Sequence, residues 1–245
     1  TIYYTAFYLV STLAAIPYSI INVSIPRLSY LLKNKGKEIY EEKLNNSISS
    51  LLFIIVPMCL GVFVLSKEII ILYAGKKYLA AIVPLMIACI TRIFISLESV
   101  MNNLVMYPNN REDRILKVSL ICGTSNLIIN YLLVTFKIFS PITALATTGL
   151  VELAVFITHY IYSRRKMNIN VQVFSKKNMT YIILSLLFIP ISLLLRKLNL
   201  GFYITMILII ITCMLLYFIV LYIKKDNNLM FILDKFKNKL KVGKK

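Results

Sequence analysis

Five residues stand out against an apolar background: Arg92, Glu98 and Glu152, which would carry charge, and Asn126 and Asn130, whose amides need hydrogen-bond partners. They sit in "LMIACITRIFISLESVMNNLV", "SNLIINYLLV" and "TALATTGLVELAVF". A charged side chain at the centre of a bilayer costs about 2.5–3.5 kcal/mol, so such groups belong in a bundle interior, against a partner or in a watery cavity. All five are therefore candidates for a transport pathway. Arg92 and Glu98 are six residues apart, roughly 120° around a helix, and do not stack. Arg92 and Glu152 fall at similar depth when each is counted from the same end of its helix, which makes each the first candidate as the other's ion-pair partner. Asn126 and Asn130, at i and i+4, share one helix face. An asparagine in hydrocarbon seeks a partner on another helix, worth about 0.6–2 kcal/mol, or a solute in the pathway, and both readings stand.

The elements that must position these groups follow from composition. Hydrophobic residues make up 59% of the 245-residue chain and mean hydropathy is +0.78, too apolar for a water-soluble core. Seven apolar runs have the length of a membrane-crossing helix: Tyr3 to Leu32, Ser47 to Leu65, Tyr78 to Tyr107, Ile115 to Phe136, Pro141 to Tyr162, Thr180 to Leu195 and Gly201 to Ile223. The expected fold is an all-α polytopic transmembrane helix bundle of about seven helices over residues 1–223, with a basic amphipathic tail over residues 224–245. The stretch "EIIILYA", Glu68 to Ala74, is too short to cross and is expected to finish the second helix or lie at the interface.

Charge gives the orientation. Twenty-one Lys and Arg residues fall in the segments after the first, third, fifth and seventh runs, and six in the segments between. Short basic loops resist translocation, so the first set is expected to be cytoplasmic, with the C-terminus inside. The net charge of +18 then reads as topology and attraction to anionic membrane lipids, with no nucleic acid as partner. The first run would enter from outside with no polar leader before "YYTAFYLV", so the expectation is a piece of a longer chain.

Other signals concern packing. Ala144, Thr148 and Gly149 form a small-residue strip suited to close helix approach. Prolines 17, 26, 57, 84 and 190 fall in or near the ends of helices and can bend them. His159, beside Tyr160, Tyr162 and "SRRK", is expected at the membrane interface and not in a proton relay. Cys59, Cys89, Cys122 and Cys213 read as small buried hydrophobes. In the tail, Leu229, Ile232, Leu233, Phe236 and Leu240 form a stripe expected to lie on the inner leaflet. A lone histidine, scattered cysteines and no glycine-rich phosphate loop leave neither a metal site nor a nucleophile with its base, so no enzyme, cofactor or metal is expected.

Four stretches carry a family resemblance: "YYTAFYLVSTLAAIPYSIINVSIPRLSYLL", "VPMCLGVFVLSKEIIILYAGKKYLAA", "SNLIINYLL" and "SPITALATTGLVE". In order and spacing they resemble the oligosaccharide flippases of the multidrug, oligosaccharidyl-lipid and polysaccharide exporter superfamily. The resemblance implies the last seven helices of a fourteen-helix, two-lobe exporter in a bacterial cell membrane. It implies alternating-access flipping of undecaprenyl-diphosphate-linked oligosaccharide repeat units for capsular or other surface polysaccharide, alongside other polysaccharide-assembly membrane proteins. Within it Arg92, if it faces the cavity, would attract the diphosphate. The sequence departs from the family at Phe7 and Tyr8, where several members carry a basic residue. Rival readings are a lipid II flippase or drug exporter of the same superfamily, or a polysaccharide polymerase or ligase, which would need a long outer loop.

Overall fold

Proline and glycine set where the helices of the computed structural model begin, bend and break. The structure describes residues 2–242, apart from the side chains of residues 2, 3, 5, 13, 16, 236 and 238–242. Helix α1 (Ile2–Asn34) bends by 52° between Ala6–Thr12 and Pro17–Asn34, where Pro17 removes a backbone donor. Gly36, at φ +86°, makes the left-handed turn into α2 (Lys37–Val64). A short helix α3 (Ser66–Tyr73) follows, so the "EIIILYA" stretch is a separate helix that does not continue the second span.

The third span is continuous from Lys76 to Asn109 but changes character along its length. A 3₁₀ turn (Lys76–Ala81) leads into α4 (Ile82–Val100), which widens to a π-helix over Met101–Met106 and tightens again over Tyr107–Asn109. The wider turn is held from outside: Tyr40 Oη donates to the Leu104 carbonyl at 2.7 Å. Next come α5 (Glu112–Thr135) and α6 (Pro141–Arg165), joined by a turn whose Ser140 caps α6 in a reciprocal capping box with Thr143. The sixth span breaks into α7 (Lys176–Leu186) and α8 (Phe188–Arg196), because Pro190 leaves the Leu186 carbonyl without its helical donor. α9 (Phe202–Ile223) and α10 (Asn227–Val242) complete the chain.

Six of these helical segments are long and apolar enough to cross a membrane, seven with the bent α1, and the described residues contain no strand. The protein is an all-α, multi-pass membrane helix bundle. Its core surrounds α2, whose Tyr40, Leu44, Ile48, Leu51 and Ile55 are fully buried against α1, α4 and α7. The other extreme is α5, which packs chiefly on α6 and exposes Leu120, Leu127 and Tyr131. Such surface is stable only against lipid or another protein.

The polar loops converge at one end. Asn45 on α2 donates to the Asn170 carbonyl and accepts from Gln172 N, both at 2.8 Å, while Ser49 donates to Asn178 Oδ1 at 2.8 Å. Asp226 caps α10 by accepting from the Asn228 and Leu229 amides, and takes the Tyr181 hydroxyl at 2.7 Å. Thus basic segments after the first, fifth and seventh runs share an end, as the charge count requires. Lys37 and Lys43 lie on α2 itself, which begins ten residues before its apolar run. The start of α10 rests on the bundle: Leu229 is buried and Ile232 and Leu233 pack against the core, so part of the tail's stripe faces protein. Phe236 and Leu240 lie outside the described side chains.

Candidate functional site

Helix α4 positions the site, and its register against α6 decides which charges meet. Thr91 donates its hydroxyl to the Leu145 carbonyl at 3.1 Å. A Cβ on Gly149 would come within 2.7 Å of Thr91 Oγ1, so the glycine lets the two helices approach here. Leu145 stands 54 positions beyond Thr91, and the same offset on these parallel helices sets Glu98 level with Glu152 and Arg92 level with Ala146. Glu98 thereby comes within electrostatic reach of Glu152.

This overturns the expected Arg92–Glu152 pairing. The four ion pairs among the described residues involve neither Arg92 nor Glu98 nor Glu152. The physical reason is register: equal depth from the helix ends ignores the offset that Thr91 and Gly149 impose. Arg92 instead turns to α1, with its guanidinium 5.2 Å from the centre of the Tyr18 ring. The Tyr18 hydroxyl is buried beside Arg92 and Ser96 without a hydrogen bond of ordinary geometry. Ser96 donates to the Arg92 carbonyl at 2.8 Å.

Glu98 receives the Asn102 amide from the start of the π-helix, and Asn103 reaches back to Ser99. The π-helix gathers these amides on the turn below the carboxylate, a geometry often found at functional sites. Glu152 makes no hydrogen bond or ion pair with the described residues, and Cys122 of α5 lies within reach of its charge. Asn130 Nδ2 donates to Asn126 Oδ1 at 2.9 Å, and Thr147 on α6 donates to Asn130 Oδ1 at 3.0 Å. The asparagines thus bond to each other and across to α6, one face of a polar strip running along α4, α5 and α6. Glu98, Asn102 and Glu152 form one cluster, and Asn126 and Asn130 lie further along α5. Arg92 makes no ion pair with them and turns to α1, where Tyr18 lies within reach of both Arg92 and Glu98.

Two groups are not singled out by the sequence reading, and a third, His159, is read there only by its place beside the basic cluster. The first is Asn102 and Asn103, visible as adjacent amides in an apolar run. The second is Glu68, 3% exposed on α3, held by Arg196 at the end of α8 through two parallel bonds of 2.5 and 2.9 Å. Arg196 also donates to the Val64 carbonyl at 2.8 Å, closing α3 onto the α7–α8 span. The third is His159, fully buried against Arg114 with neither ring nitrogen in a hydrogen bond of ordinary geometry. The Arg114 guanidinium lies 3.6 Å from the centre of the Tyr162 ring. The histidine is therefore packed against the start of α5, inside the bundle, at the end of α6 that carries the basic cluster. Cys59, Cys89 and Cys213 are buried and unpaired, Cys122 is half-buried, and the described residues contain no cluster of metal ligands.

The arrangement combines a mid-span cation and two carboxylates, none of which makes an ion pair among the described residues. Such a site can attract an anion at Arg92 and exchange a proton or cation at Glu98 and Glu152. In comparison with known proteins, no family model, no curated protein and no solved structure matches the chain.

Proposed function

We propose that the protein is a membrane flippase that carries an amphiphile with an anionic diphosphate head, an undecaprenyl-diphosphate-linked oligosaccharide repeat unit, from the cytoplasmic to the outer leaflet by alternating access. The observation that carries the reading is Arg92. An arginine near the middle of a span, with no carboxylate within 4.0 Å, is an uncompensated charge in a low-dielectric setting. The bundle keeps that cost only where an anion comes to it, and a guanidinium forks onto phosphate oxygens in two directions at once. Tyr18 supplies the aromatic face that holds the side chain when no anion is bound.

Three further features support it. The bend before Pro17, the break before Pro190 and the π-helix at Met101–Met106 divide the spans into segments that can rock. Glu98 and Glu152 are carboxylates on facing helices with no ion-pair partner among the described residues, suited to taking up and releasing a proton as the site changes sides. The stretches that resemble the oligosaccharide flippases include α1 and α6, which flank Arg92 and carry Glu152. On this reading the protein sits in a bacterial cell membrane with its C-terminus inside, works beside other polysaccharide-assembly membrane proteins, and forms one lobe of a two-lobe exporter.

The experiment is translocation of a fluorescent polyprenyl-diphosphate oligosaccharide in vesicles reconstituted with the full-length protein. Arg92→Ala is expected to slow it strongly at equal incorporation, with partial recovery in Arg92→Lys. Normal translocation by Arg92→Ala would end the proposal.

A further inference from the structure

A second cationic site lies away from Arg92, at the end where the polar loops converge. Helices α1, α2 and α10 enclose a pocket of about 500 Å³, within the roughly 300–1,000 Å³ range of ligand pockets. Its wall carries Arg27, Lys43 and Lys235, one cation from each helix, and no carboxylate lines it. Lys43 also touches the exposed Glu42 at 2.6 Å, while Lys235 leans over the Phe231 ring at 4.5 Å. Between the cations lie serine hydroxyls and the Asn228 amide, with Ser50 donating to Asn228 Oδ1 at 3.1 Å. Ile54 and Phe231 add apolar wall, and the exposed Val23 and Phe231 lead from the pocket onto lipid-facing surface.

Three like charges converging on one cavity repel, and only Lys43 has a carboxylate beside it, the exposed Glu42 outside the lining. Cationic pockets between helices near a membrane surface recruit the phosphates of anionic lipids, which bring the missing charge. The pocket's makeup matches a phospholipid end to end: cations and hydroxyls for the head, apolar wall and exposed apolar surface for the start of the chains. α10 is its third wall, held to the bundle at its start through Asp226, Asn228 and Leu229 and along one face through Ile232 and Leu233.

We propose that this pocket binds the headgroup of an anionic phospholipid of the surrounding leaflet, and that the lipid fastens α10 against α1 and α2. The inference does not depend on what the protein transports. A diphosphate amphiphile offers the same phosphate chemistry, but its head is assigned to Arg92, in mid-span. The site at Arg27, Lys43 and Lys235 sits at the polar end, where phospholipid heads reside.

The test uses the full-length protein in detergent, titrated separately with phosphatidylglycerol, phosphatidylcholine and a polyprenyl diphosphate, and read by native mass spectrometry and thermal unfolding. Phosphatidylglycerol is expected to stay bound and raise Tm, and phosphatidylcholine to do neither. Each of Arg27→Gln, Lys43→Gln and Lys235→Gln should weaken phosphatidylglycerol binding about fivefold, and the triple variant about a hundredfold. Neutralising Lys33, Lys35 and Lys166, exposed and outside the pocket lining, removes the same charge and should leave binding within about twofold of the parent. Lys235→Gln, on an exposed position, keeps the test open if the triple variant does not fold. Equal loss from the two sets of substitutions, undiminished binding in Lys235→Gln and Arg27→Gln, or tighter pocket-dependent binding of the polyprenyl diphosphate would each overturn the proposal.

Discussion

Arg196 holds both oxygens of Glu68 and the Val64 carbonyl, whereas Arg92 faces a tyrosine ring and no carboxylate. Both arginines lie against apolar helices, yet only one has its charge answered by the protein. Arg196 joins the end of α8 to α3 with the fork geometry that makes arginine–carboxylate pairs strong. That is a fastening. Carboxylates are near in the fold, Glu98 on the same helix and Glu152 on the neighbouring α6, but the six-residue spacing turns Glu98 away from Arg92 and the α4–α6 register sets Glu152 level with Glu98 instead. The contrast separates a cation paired within the bundle from one that, on the proposed reading, is left for a ligand.

The comparison breaks most visibly if the two arginines respond alike to removal. Arg92→Ala should cut translocation roughly 100-fold, in line with the cost of an uncompensated mid-bilayer charge, while leaving abundance and Tm near those of the parent. Glu68→Ala should do the reverse. It strands Arg196 among apolar helices and should destabilise the fold by about 3 kcal/mol, at the low end for a broken buried pair because Arg196 is partly exposed. Translocation per folded molecule should hold, measured on protein selected for monodispersity.

The register itself can be tested next. Gly149→Ala drives a methyl into Thr91 Oγ1 and should cost about 1–3 kcal/mol in thermal unfolding. Adding Thr91→Ala removes the clashing atom and should return about half of that loss; no recovery would show that the contact does not set the approach of α4 and α6. The smallest effect is expected at Asn130→Leu, which deletes the bond from Thr147 and should cost about 0.6 kcal/mol in the same measurement.

Much of the bundle is legible in the sequence because a span is a local property. Apolar length marks the crossings, Ser140 and Pro141 announce the start of α6, and Pro190 sits just past the break between α7 and α8. The site is legible only as a set of unusual residues. Arg92, Glu98, Glu152, Asn126 and Asn130 declare themselves by polarity, but which of them meet depends on a helix register fixed by Thr91 and Gly149, 58 positions apart in the chain. The Glu68–Arg196 pair spans 128 positions and leaves no local pattern. The π-helix escapes for a different reason: its extra residue per turn is stabilised from outside by Tyr40 and has no periodicity of its own.

Binding tests the central claim more directly than transport, because it isolates the anion at Arg92 from the rest of the cycle. Undecaprenyl diphosphate should bind the full-length protein in a low-lipid detergent with a Kd that rises at least about tenfold in Arg92→Gln and by less in Arg92→Lys, while Arg196→Gln, compared as folded protein, leaves it unchanged. An unchanged Kd in Arg92→Gln, or an equal loss in Arg196→Gln, would contradict the account.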